Sequence, residues 1–443
     1  MSNREPLPTQ NYYATHLSEV NKQKTVVSTE DIYAENGMLL AKKGVRINEE
    51  LADRILQHKL LKPVEEQVDI ENGLTSQRLM AEFDRLFDQY HDLKHLHQHY
   101  QCSTMVANLL NTVNINDILY QKLTVLSMRL PDVFAKSLFC AWLCALIAKE
   151  HGLNEKQVQD AFVAGLFHDI GLLHIDPKIL YKEDKLDNSE WRAIQSHVII
   201  GYLIFKKSGN QDEAIANAIL EHHECCDGTG YPKGKTKDEL GILGQILALA
   251  DSIQAIRTNR FADSGRNLRD ILPFLHMNSS QHFVMIYKTM CLIILNSELQ
   301  PFTKNPYEDY DKFVITLLGR IDVLQDAITV LQLISDLTPT PEKTPSTKYK
   351  VLSNVISPVI GVIKSSGMVR DEVISWLRSL KKQPDKSVMR DLNELDLMQS
   401  ELLWQLKKAV RVINEYIDDS HDTPDPIINH LKKLSDYIHE TLD

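Results

Sequence analysis

The sequence lacks an apolar stretch near its start. MSNREPLPTQNYY has no hydrophobic centre of the kind a secretory signal carries. Its longest mostly apolar run, Leu138 to Ala148, ends at Lys149-Glu150, short of the roughly 20 residues that a membrane-spanning helix needs. The expectation is no membrane span. Basic excess is also missing. The net charge of -11 argues against a surface that coats DNA or RNA, while leaving room for a local basic pocket. The six cysteines, Cys102, Cys140, Cys144, Cys225, Cys226 and Cys291, follow neither zinc-ribbon nor disulfide-framework spacing. A reduced, cytoplasmic protein is the default expectation. Strand signals are nearly absent from residue 75 onward.

What is present is ordinary globular chemistry with helical periodicity. At 443 residues, 43% hydrophobic and 25% charged, the chain is long enough for more than one domain and a sizeable core without disulfides. Residues 1 to about 23 read as polar and flexible, within a small α+β module at 1–72. There Thr25 to Val27 and Met38 to Leu40 read as strands joined by an Asn36-Gly37 hairpin turn. Asn48 caps a helix to about His58, and Val64 to Ile70 returns as a strand. A helical domain is expected at 73–300. A helical region follows at 301–443, with a Pro/Thr-rich linker at about 338–348. Helices are expected at Thr75 to Leu96, at Leu123 to Glu150 with a break near Pro131, at Phe313 to Ile334, at Asp371 to Leu380, at Asp391 to Ile417 and at Pro426 to Thr441. In the Asp391 helix, Leu392, Leu395, Gln399, Leu402, Leu406, Ala409, Ile413 and Tyr416 recur in steps of three and four. That seam suits an internal hairpin or a homo-oligomer coil.

Histidine and aspartate recur between Gly165 and Asp251. Asn154 with Gln157 opens a helix that ends at His168-Asp169-Ile170-Gly171, where Gly171 suits a helix stop. Asp187 with Glu190 opens the helix that presents His197. Glu213 to His223 ends in the pair His222-His223. Cys225 to Pro232 is a glycine-rich loop, and Leu240 to Arg257 is a helix delivering Asp251. Imidazole nitrogens with carboxylate oxygens suit Fe, Mn, Co or Zn. Each motif alone has a plainer reading: a polar helix cap, a core histidine, a terminal carboxylate. Their order and spacing favour convergence on metal. The histidines His91, His95, His97 and His99 read instead as a solvated helix end, since His-rich tracts are weak signals.

FHDIG at His168-Asp169, His197, HHE at His222 to Glu224, DGTGYP at Asp227 to Pro232 and LALAD at Asp251 together resemble the HD-GYP family. These are bacterial phosphodiesterases of the HD superfamily that hydrolyse cyclic di-GMP. The resemblance covers about 132–299. It implies a mainly α fold, an HD-superfamily helical bundle, here with the small α+β module before it and the helical region after it. It implies signal transduction through cyclic di-GMP, hydrolysed to pGpG or GMP, and two divalent metals, Fe or Mn. His168 and Asp169 would be ligands and act in catalysis, with Asp169 bridging. Asp251 would complete the first metal's set, and His197, His222 and His223 would hold the second. Asp227, Gly228, Gly230, Tyr231, Pro232 and Arg260 would contact substrate. Two departures stand out. Lys136 lies where the family has a histidine ligand, with Asp132 one turn earlier as a substitute acid. Leu172 lies where the family has a lysine on the scissile phosphate. The Lys136 ammonium either enters the space of the missing ligand, pairing with Asp132, Asp169 or Asp251, or runs out to solvent. The competing expectation is a catalytically reduced module that acts as a cyclic di-GMP receptor or scaffold.

Overall fold

The computed structural model describes residues 12–209, 212–236, 239–262, 264–278, 283–307, 309–337, 347–380, 385–418 and 432. The expected helix from Pro426 and most of the Pro/Thr-rich linker lie outside them. The chain divides into two compact units that interleave along the sequence. The first is Met1–His223 with Leu240–Gln254, and the second is Glu224–Glu239 with Ala255–Asp443.

In the first unit, helix α1 (Tyr12–Val20) precedes strands β1 (Val26–Ser28), β2 (Ile32–Tyr33) and β3 (Leu39–Ala41), helix α2 (Glu49–Gln57) and strand β4 (Val68–Ile70). The expected flexible start is corrected over Tyr12–Val20. Tyr13, Ala14, Leu17 and Val20 fall on one helical face and are fully buried. The Asn36-Gly37 turn forms, with Gly37 at φ 83°, but it joins β2 to β3. β1 pairs antiparallel with β4 instead. A turn signal is local, whereas the choice of strand partner is not.

The helices of this unit follow caps that were readable in advance. Asn48 accepts from the Leu51 amide at 2.9 Å to open α2. The expected helix from Thr75 forms as α3 (Ser76–Gln89) and α4 (His91–His99), separated by extended backbone at Tyr90. Then come α5 (Cys102–Thr112), α6 (Asp117–Arg129), α7 (Pro131–Glu150) and α8 (Glu155–Phe167). Pro131 begins α7, where its missing N–H costs nothing. The Asn154/Gln157 and Asp187/Glu190 capping boxes both form. α9 (Pro177–Leu180), α10 (Asn188–Gln195), α11 (His197–Lys207), α12 (Glu213–Glu221) and α13 (Ile242–Asn259), which belongs to this unit as far as Gln254, complete the series. Among the described residues α7 alone is long and apolar enough to cross a membrane by length and composition. Here its residues from Ser137 to Ala148 are all buried, chiefly against α8.

The second unit contains the described loop residues 224–236, then α14 (Leu272–Asn278), α15 (Val284–Asn296), α16 (Tyr310–Leu337), α17 (Thr347–Ser366), α18 (Asp371–Ser379) and α19 (Lys386–Asp418). The α19 seam is internal. Leu392, Gln399, Leu402, Leu406, Ala409 and Ile413 are fully buried or nearly so, packed with α16 and α17 in one apolar cluster. Those positions offer no face to a second copy.

Candidate metal centre

Three histidines enter the middle of the first unit by the same local device. His168 follows α8, His197 opens α11 and His222 follows α12. Each Nδ1 lies against the carbonyl oxygen three residues earlier: Gly165 at 2.8 Å, Ile194 at 2.7 Å and Ile219 at 2.7 Å. An Nδ1–H donated there turns Nε2 inward, and in the neutral ring Nε2 carries the lone pair. His197 Nε2 and His222 Nε2 approach to 3.4 Å. Two lone pairs that close in a buried site call for a cation between them.

Asp169 stands at the centre and its two oxygens face different neighbours. Oδ1 lies 3.3 Å from His197 Nε2 and 3.7 Å from His222 Nε2. Oδ2 lies 3.1 Å from His168 Nε2 and 2.9 Å from Lys136 Nζ. Asp251, on α13, places Oδ1 2.7 Å from Lys136 Nζ and 3.7 Å from His168 Nε2. Its Oδ2 lies 3.8 Å from His223 Nδ1. Two groups of donor atoms, each spanning no more than 4.8 Å, result: Asp169, His197, His222 and His223, and beside them Cys140, His168 and Asp251.

Close backbone packing sets this geometry. A β-carbon on Gly165 would sit 2.7 Å from the Ala141 amide nitrogen of α7. Gly165 therefore brings the Lys136 and Cys140 face of α7 up to the His168-Asp169 pair. Gly171 is not the expected helix stop. It lies in a 3₁₀ turn, Ile170–His174, and a β-carbon there would meet the His197 carbonyl oxygen at 2.0 Å. Its role is to let the His197 backbone approach.

The electrostatics separate acceptors from charged groups. Burial, with the other imidazoles beside them, lowers His222 to about 4 and His223 well below the usual histidine value. Both are neutral and able to ligate. Burial works against ionisation of Asp169, but His168 and Lys136 hold it well below the carboxylate range. Burial also opposes charge on Asp251, and Lys136 outweighs it. Burial opposes charge on His168, yet Asp169 and Asp251 raise it to about 9 in the metal-free chain.

The structure thus brings His168, Asp169, His197, His222, His223 and Asp251 together. Asp132 is a correction. It sits exposed in the first turn of α7, outside both donor groups. Lys136 takes the inward course and pairs with two of its three expected partners, Asp169 and Asp251. Asp227, Gly228, Gly230, Tyr231, Pro232 and Arg260 belong to the second unit. There the Asp227 carboxylate pairs with Lys408 at 2.9 Å and accepts from the Thr229 amide at 2.9 Å. Gly228 takes φ 78°, and a β-carbon on Gly230 would meet the Cys225 amide nitrogen at 2.3 Å. Arg260 pairs with Glu401 at 2.9 Å. His97, read as part of a solvated helix end, is instead buried, lying against Phe87 with Nε2 2.8 Å from Ser103 Oγ.

Sequence reasoning missed one polar cluster in the first unit. Buried Lys122 lies 3.1 Å from Glu65 Oε1, 2.9 Å from His174 Nε2 and 3.8 Å from the Tyr13 ring centre. A lysine inside the Asp117 to Arg129 helix gave no periodic signal of burial. A cavity of about 680 Å³ adjoins this cluster, bounded by Tyr12, Lys122, His174, Ile200 and Leu203, and none of the six metal donors lines it.

Residues 121–284 match the family model described as HD domain. The 3'3'-cGAMP-specific phosphodiesterase 1 of Vibrio cholerae is 29% identical over 202 residues, which cover 45% of this chain and 47% of that protein. The cyclic di-GMP phosphodiesterase of Thermotoga maritima is 34% identical over 149 residues, 32% of this chain and 40% of that one. The 3'3'-cGAMP-specific phosphodiesterase 3 of Vibrio cholerae is 40% identical over 115 residues, 26% of this chain and 25% of its own length. The chain spans about half, or less, of the length of these relatives.

Proposed function

We propose that the chain, whose residues 121–284 match the HD domain model and which aligns with cyclic dinucleotide phosphodiesterases, is a metal-dependent phosphodiesterase of the HD-GYP type that hydrolyses cyclic di-GMP to pGpG or GMP. One observation carries this reading. Nε2 of His197 and His222 and Oδ1 of Asp169 point at one another inside a buried core. Asp169, His197, His222 and His223 would hold a divalent ion there, Fe or Mn. When bound, such an ion acidifies a water and neutralises charge on the phosphate. The chain's own residues do the rest. The three backbone carbonyls hold the imidazole tautomers. Asp169 and His168 would orient the attacking water and its proton. Leu172 brings no charge to the phosphate, and the loss of such a clamp lowers rates on the order of 10²–10³-fold. Asp227, Gly228, Gly230, Tyr231, Pro232 and Arg260 remain our candidates for substrate contacts.

Relatives named for 3'3'-cGAMP and for cyclic di-GMP both align, so the assay includes both dinucleotides. The protein is purified anaerobically with Mn or Fe and the linear product is measured beside binding. Hydrolysis lost in His197→Ala and Asp169→Ala supports the enzyme. The Lys136 ammonium held between Asp169 and Asp251 favours a second reading, a receptor with little turnover. Tight binding with no linear product selects that reading.

A further inference from the structure

The two sides of Asp169 differ in kind. Around Oδ1 stand the Nε2 atoms of His197 and His222, at 3.3 and 3.7 Å. Both are lone-pair donors with Nδ1 committed to backbone. Around Oδ2 stands a fixed cation. Lys136 Nζ lies 2.9 Å from Asp169 Oδ2 and 2.7 Å from Asp251 Oδ1. His168 Nε2 is farther from the same two oxygens, at 3.1 and 3.7 Å. The ammonium occupies the point at which an ion shared by Asp169, Asp251 and His168 would lie. It has three N–H donors and no lone pair, so it repels a metal ion there and contributes no ligand. Its side chain is only 26% exposed, and Cys140, one turn further along α7, closes the same face.

We propose that Lys136 takes the place of one metal ion, so that the chain holds a single divalent cation at Asp169, His197, His222 and His223. Asp169 then bridges a metal on Oδ1 and an ammonium on Oδ2. The inference rests on the metal-binding part of the proposed function and adds the number of ions and the residue that sets it. Both carboxylates are neutralised on one side without metal, so that half of the centre is assembled at any metal concentration. The other half, which gathers imidazole lone pairs, is the half that needs an ion.

The test is metal content and magnetic coupling, measured on the full chain with Mn(II) alone. Protein loaded anaerobically and freed of excess metal is assayed by elemental mass spectrometry and by electron paramagnetic resonance. The expected result is about one Mn per chain with an uncoupled hyperfine pattern. Lys136→His supplies a lone pair and removes the charge. It is expected to raise the content to about two Mn per chain, with an exchange-coupled spectrum. About two Mn in the unaltered protein would overturn this inference and leave the metal-dependent reading standing. No Mn at all would overturn both. If Lys136→His does not fold by circular dichroism, Lys136→Ala carries the same test. It should admit a second Mn at concentrations where the unaltered chain holds about one, and a content that stays at about one in either folded variant overturns the proposal.

Discussion

At the scale of single residues, the centre depends on groups whose freedom has been removed by their own backbone. The carbonyls of Gly165, Ile194 and Ile219 each fix one imidazole. Removing a ligand should therefore cost more than removing a neighbour. His222→Ala is expected to lower metal affinity by at least about 100-fold, the upper end of what loss of a ligand's supporting partner does. Metal titration of the folded variant checks this. Gly171 gives a sharper test, because a methyl group there would meet the His197 carbonyl oxygen at 2.0 Å. Gly171→Ala is expected to destabilise the first unit by about 3 kcal/mol and to reduce metal content with it. Urea unfolding and metal analysis read the two effects. A variant with unchanged stability would show that the His197 backbone is free to move away.

At the scale of elements, the cluster of Lys122, Glu65 and His174 joins α6 to the two 3₁₀ turns Val64–Glu66 and Ile170–His174. Truncating Glu65 would strand a buried ammonium, and Glu65→Ala is expected to cost about 3–5 kcal/mol. Acid should do the same by degrees. Burial tends to raise Glu65, but Lys122 and His174 hold it at about 2, below its ordinary 4.5. Its contribution is complete above 4.5 and is lost as pH falls through about 2. Burial and Lys122 lower His174 to about 3 from 6.5, and burial and Arg129 lower His16 to about 4. The unfolded chain takes up these protons first, so stability declines as pH drops below 6.5. The unfolding free energy from urea titration is expected to fall steadily between neutral pH and pH ~4, by an amount on the order of a few kcal/mol. His174→Gln should flatten that slope. An equal slope in the variant would place the acid sensitivity elsewhere.

At the scale of the whole molecule, metal and stability are linked in the unit that holds the donors. An ion present at about 100 times its dissociation constant adds about 2.7 kcal/mol, which moves a unit of this size by roughly 5–10 °C. Chelation is expected to lower one thermal transition by that amount and leave a transition of the second unit in place. His197→Ala should abolish the difference. A calorimetric trace in which both transitions shift together would show that the ion stabilises the second unit as well.

Helix starts were readable because a cap is a contact between neighbours in sequence. Asn48, Asn154 with Gln157 and Asp187 with Glu190 all cap helix starts where their spacing predicts, but the helix from Asp187 ends at Gln195 and His197 opens the next one, α11, rather than lying within the first. The gathering of His168, Asp169, His197, His222, His223 and Asp251 was suggested by their order and spacing and by their joint resemblance to a family, since no local rule relates residues so far apart. The course of Lys136 was open at that level, because a long flexible stem reaches solvent or a carboxylate equally well. Packing of α7 against α8 at Gly165, with Asp251 on α13, decided it. So too with the pairing of β1 to β4, the burial of Lys122 and His97, and the purpose of Gly171. Sequence by itself determined the helical class, most element starts and the donor types. Tertiary structure alone decided which charges meet, because that choice depends on distances between segments that only the assembled core sets.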